Sequence, residues 1–112
     1  MNLLNLEYVN EITGGDDEIL KELLSTFKEQ VVEMKDVLPS LQNLNNVEEI
    51  KQLAHKFKSS MRVFGIDLLA SQLEYLEHNA GTITREEMGE KVEEVLRQCE
   101  VLLKEMSEIL ES

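Results

Sequence analysis

Residues 16–41 read DDEILKELLSTFKEQVVEMKDVLPSL. Apolar side chains fall at Leu20, Leu24, Phe27, Val31, Met34, Leu38 and Leu41, in alternating steps of four and three. That spacing keeps one face of an α-helix apolar over its whole length. Leu23 and Val37 widen the stripe beyond a two-helix seam, so the face suits the core of a bundle better than a coiled coil. Asp16, directly after Gly14-Gly15, has the side chain and position of an N-cap. Pro39 predicts a kink or an end near Leu38, because proline lacks the amide that an interior turn needs.

The last segment repeats the arithmetic with Met88, Val92, Val95, Cys99, Leu102, Met106 and Ile109, flanked by Leu96, Leu103 and Leu110. Thr84 with Glu87 three residues on marks its start as a capping box. Two shorter helices lie between. One runs from about Val47 to Phe64, with Asn46 and Glu49 as a second capping pair. The other runs from about Asp67, read as its cap, to Ala80, with Leu69, Leu73, Leu76 and Ala80 inward and Gly81 as the C′ stop. The joints are roughly two to five residues long, which makes successive helices antiparallel neighbours. Leu6, Val9 and Ile12 suit a short helix lying across one end. The expected fold is all-α: an antiparallel up-down four-helix bundle with a short extra N-terminal helix, one domain over residues 1–112.

Composition agrees. A chain of 112 residues supports one core and no second domain. One proline, five glycines and 4% aromatics suit helices rather than sheets. A net charge of −12 argues against binding nucleic acid or an anionic membrane. No apolar run approaches the ~18 residues of a membrane span. The start, Met1 to Glu7, lacks the basic flank and apolar stretch of a signal peptide. The one cysteine, Cys99, sits at a core position and is expected to be buried and inert. Cytoplasmic residence and a monomeric state are the corresponding expectations.

Residues 50–66, IKQLAHKFKSSMRVFGI, break the acidic pattern. They contain no Asp or Glu and carry Lys51, Lys56, Lys58 and Arg62, a local +4 that leaves −16 on the other 95 residues. On a wheel of about 100° per residue, Ile50, Leu53, Ala54, Phe57, Met61 and Phe64 share the buried face. His55 points the opposite way, with Lys51, Lys58 and Arg62 at −4, +3 and +7 along the same exposed stripe, and small Ser59 at +4. A solvent-facing imidazole among cations invites an anion and is nucleophilic enough to take a phosphoryl group. The plain alternative is a surface histidine on a solvated charged face.

The stretch His55-Lys56-Phe57-Lys58-Ser59-Ser60-Met61-Arg62-Val63-Phe64-Gly65 resembles the signature of the histidine-containing phosphotransfer (HPt) domain family. That signature has a histidine, an apolar residue at +2, lysine at +3, a small run at +4 to +6 and glycine at +10. Leu76-Glu77 resembles the family's Leu-Glu pair on the following helix, and the likeness spans roughly residues 6–80. Two positions depart from the pattern. Ser59 stands where glycine is usual and a partner must approach closely, and Met61 is bulkier than the usual small residue.

The resemblance implies a phosphoryl carrier in a two-component phosphorelay, passing the group between receiver-domain aspartates through His55. It implies Nε2 of His55 as the phosphoacceptor, Lys58 as the group that steadies phosphoryl charge, and Lys51 and Arg62 as attraction for an acidic receiver cleft. Ser59 would form part of the contact floor, and Gly65 the sharp exit from the helix. Partners would be response-regulator receivers or a hybrid sensor kinase. Mg²⁺ would come with the receiver, and this chain would need no cofactor or metal of its own. The only glycine pair, Gly14-Gly15, is no phosphate-binding loop, so no ATP site and no autokinase activity are expected. His78 reads as a surface histidine in a helix's last turn, and neither histidine has the Glu-x-x-His spacing of a di-metal bundle. Val32 and Val63 fall off their helices' apolar stripes and suit a docking patch or ordinary surface. The rival class is a non-catalytic adaptor bundle that binds a partner through the basic strip without being phosphorylated.

Overall fold

The computed structural model describes residues 3–111, which form five helices and, among those residues, no strand. They are α1 (Leu6–Thr13), α2 (Asp17–Asn43), α3 (Val47–Val63), α4 (Asp67–Asn79) and α5 (Arg85–Glu111). α2 packs on α3 and α5, and α4 also packs on both, closing a circuit that α1 joins through α2. At 1.5 Å per residue the two 27-residue helices are about 40 Å long. That length sets the 44 Å long axis of the molecule. No helix among the described residues is long and apolar enough to cross a membrane.

The apolar stripes meet in one core. Leu24, Phe27, Val31, Met34 and Leu38 of α2 face Val92, Val95, Cys99, Leu102 and Met106 of α5, all at most 1% exposed. Ile50, Ala54, Phe57 and Met61 of α3 and Leu69, Leu73 and Leu76 of α4 complete it. Burying each of the valine, leucine, isoleucine, phenylalanine and methionine side chains among them contributes about 1.5–3 kcal/mol. Phe27 and Phe64 stack with ring centroids 3.9 Å apart, fastening α2 to the end of α3. Of the α1 residues, Val9 is buried, whereas Leu6 and Ile12 remain 39% and 44% exposed.

Helix ends follow local chemistry, with four corrections to the sequence reading. Asp16 caps α2 by accepting from the Glu18 and Ile19 amides. Pro39 does not end α2, which continues to Asn43. Stopping at Leu38 would take the partly buried Leu41 off the core it packs against, and that contact offsets part of the ~3 kcal/mol of an interior proline. Beyond the end of α2, Asn45 takes φ 52° and closes the turn with its amide on Gln42 and that of Asn46 on Leu41. Asp67 is the first residue of α4 rather than its cap; Ile66 holds the cap position without a side-chain bond. Ile66 is tied by its amide to Met61 and buried, so apolar contact fixes that corner.

Gly81 does not adopt the left-handed conformation expected of a C′ stop. The end of α4 is held by the Asn79 carbonyl, which accepts from the Thr82 and Ile83 amides and the Thr82 hydroxyl. The two capping boxes are half made. Thr84 accepts from the Glu87 amide and Asn46 from the Glu49 amide. The Glu87 carboxylate turns away to accept from the Tyr75 hydroxyl at 2.6 Å, joining α5 to α4.

Candidate functional site

The apolar face of α3 dictates where its polar side chains go. With Ile50, Ala54, Phe57 and Met61 inward, His55 stands on the outer face with 69% of its side chain exposed. Gly65 lies just past the end of α3, and its φ of 74° places the Gly65 and Ile66 amides on the Arg62 and Met61 carbonyls. A Cβ at Gly65 would lie 3.1 Å from Cδ1 of Tyr8 in α1. Position 65 thus combines left-handed backbone with a close neighbour. The corner of Phe64, Gly65 and Ile66 turns α4 back along α3. Because Leu73 and Leu76 of α4 face the core, the residues following each of them, Glu74 and Glu77, border α3.

Glu77 organises the site. Its Oε2 lies 2.5 Å from His55 Nδ1, and its Oε1 accepts from Lys58 Nζ at 2.5 Å. The carboxylate is 18% exposed and Lys58 is 13% exposed. Lys58 therefore does not stand open on the stripe beside His55, as the helical wheel implied. It leans back along α3, as helical side chains do, and is half-sequestered against α4. The Lys58 hydrogen bond holds the Glu77 carboxyl below its ordinary range; partial burial opposes this, and the His55 contact adds to the lowering. An ionised carboxylate at Nδ1 favours the tautomer with the proton on Nδ1, which leaves the Nε2 lone pair free.

The remaining cations of the strip divide sharply. Arg62 donates to Glu74 at 2.8 Å, and Lys56 donates to Glu33 of α2 at 3.2 Å while lying over the Phe57 ring. Lys51 is in no ion pair with the described residues. The +4 of the sequence is thus largely compensated by carboxylates from α2 and α4, at separations of 12 to 23 residues. Ser59 is exposed, and with Ser60 it borders a groove between α2 and α3 that also takes in Leu23, Phe27, Gln30 and Val63. Val63 and Val32 are 54% and 38% exposed.

His78, in the last turn of α4, is 64% exposed and 3.9 Å from Glu74. It shares with His55 an open groove also lined by Lys51, Gln52, Glu48 and Glu77. No group of three or more His, Cys, Asp or Glu side chains among the described residues is placed to hold a metal ion. Cys99 is buried, and burial pushes its thiol up to about 12. The wheel missed Glu77 as a site residue, since nothing within α3 points to it. The signal was Leu76-Glu77, a carboxylate directly after the last inward leucine of α4.

Comparison with known families accords with this geometry. The profile of the Hpt domain matches residues 18–112, which takes in α3, α4 and the whole His55–Lys58–Glu77 cluster. No curated protein and no solved structure matches the chain. Hpt domains are helical bundles that act in histidine phosphotransfer in two-component signalling, and they interact with receiver domains and kinases. With 95 of its 112 residues matched, this chain belongs to the Hpt domain family.

Proposed function

We propose that the protein is a phosphorelay carrier that accepts a phosphoryl group on His55 from a receiver-domain aspartate and passes it to another. The carrying observation is the Glu77 carboxylate 2.5 Å from Nδ1 of an exposed histidine. With the proton on Nδ1, the Nε2 lone pair attacks phosphorus in line with the aspartyl oxygen. The N–P bond forms as the P–O bond breaks, and the aspartate leaves as its carboxylate. The ring becomes a cation that keeps its Nδ1 proton, and the Glu77 carboxylate stabilises that charge. Lys58 stabilises the incoming phosphoryl group by cancelling the Glu77 charge beside it. The return step is the same displacement reversed.

Lys51 and Arg62 lie at the rim for attraction to an acidic receiver cleft, and Ser59 forms part of the contact floor. Gly65 holds the exit from α3 and has no part in the chemistry. Mg²⁺, which offsets charge on the phosphoryl oxygens, comes with the receiver. The chain works without an ATP site and without autokinase activity. In this reading residues 1–112 are one domain, an antiparallel up-down four-helix bundle with α1 across one end, monomeric and cytoplasmic.

The test is incubation of wild type and His55→Gln with phosphorylated receiver domains and Mg²⁺. Acid-labile, base-stable phosphate on the wild type and none on the variant is the expected result. A receiver that binds the wild type yet leaves no label on it would overturn the carrier reading in favour of a non-catalytic adaptor.

A further inference from the structure

We infer that the phosphoryl group sits on the Lys51 side of His55, in the groove between α3 and α4, with Lys51, Gln52 and His78 as its direct donors. This rests on the carrier reading and deepens it by assigning the anion subsite. A helical side chain covers the turn N-terminal to its own Cα. The His55 ring therefore lies over Lys51 and Gln52, at −4 and −3, rather than over Ser59. The groove there is open, about 490 Å³, and is lined by Glu48, Lys51, Gln52, His55, Glu77 and His78.

The free charge lies on the same side. Lys58, Arg62 and Lys56 already have carboxylate partners at 2.5, 2.8 and 3.2 Å, and Lys58 is 13% exposed. Moving Lys58 onto a phosphate would strip Glu77 of its counter-charge next to a new anion. Lys51, in no ion pair with the described residues, meets an anion at no such loss. Gln52 and His78 add donors from α3 and α4. Glu77, matched by Lys58, does not repel the anion; Glu48 is the one carboxylate of the groove that acts against it.

The experiment titrates inorganic phosphate into isotope-labelled wild type, Lys51→Ala and Lys56→Ala, following backbone and imidazole resonances. Saturable shifts at Lys51, Gln52, His55 and His78 are expected, weakened about tenfold by Lys51→Ala, the size of one charge-assisted hydrogen bond. Lys56→Ala, whose lysine faces α2, leaves them unchanged. Shifts centred on Lys58 and Ser59, shifts that do not saturate, or equal weakening by both variants would each overturn the assignment. Receiver-to-protein transfer, measured separately, keeps the two readings apart. Phosphate binding without any transfer sinks the carrier and leaves the subsite. Transfer undiminished in Lys51→Ala sinks the subsite and leaves the carrier.

Discussion

A neutral imidazole has one basic nitrogen, and at His55 the neighbour across the helix pair decides which one it is. Glu77 holds Nδ1, while Lys58 keeps the carboxylate ionised. Glu77→Gln retains the shape but removes the charge. Transfer to His55 should slow about ten- to a hundredfold in receiver-coupled kinetics, the scale of one lost charge-assisted hydrogen bond. The same substitution has a stability signature. A glutamate whose folded-state pKa is lowered contributes stability above its unfolded value of 4.5, and that contribution is lost as pH falls through the lower folded value. Urea unfolding below pH 4.5 should therefore show wild type losing stability toward Glu77→Gln, with the gap between them closing in acid. The sequence made the nucleophile legible because His55 is the outward residue of a helix with a clear inward face. It pointed to Leu76-Glu77 only through the resemblance and did not show that this carboxylate meets His55, because the register of α4 against α3 is a tertiary quantity, set by the three-residue corner and by which leucines of α4 find the core.

At the scale of the helices, their existence follows from apolar spacing and their ends from single residues. Gly14 and Gly65 both carry a positive φ, 67° and 74°, but only Gly65 has a neighbour where a Cβ would go. Gly14→Ala should cost about 1 kcal/mol of unfolding free energy from backbone strain alone. Gly65→Ala should cost more, because Tyr8 must also give way; chemical denaturation of the two variants measures the difference. Equal losses would mean that Tyr8 moves aside freely. Gly14 was legible as punctuation because it lies between two apolar patterns. Asn45 was not, since asparagine signals a cap as readily as a left-handed stop. Pro39 did not end α2 for a reason the local rule omits: the rule weighs the missing amide but not the core contact of Leu41 beyond it.

At the scale of the molecule, the core is continuous from α2 to α5, and Cys99 lies inside it at 0% exposure. Its thiol, pushed up to about 12, reacts only when the core opens. Labelling by a thiol reagent at pH 8 should be negligible in the native protein and complete in denaturant, with a native rate that tracks global unfolding. Rapid native labelling would mean that α5 detaches locally. The lining of this core was readable as two heptad-like stripes and α1 as a short amphipathic segment, whereas the contacts that fasten the N-terminal end to the core were not. There Val9 is fully buried, Leu4 is 3% exposed, and the Leu3 amide donates to the Glu105 carboxylate of α5. Tyr8 meanwhile rests against the corner that aims α4 at His55. The Hpt match opens at residue 18, after these contacts have been made. The stretch matched by the family and the stretch that packs together thus have different borders: residues 3–17, outside the match, are mortar for the part inside it.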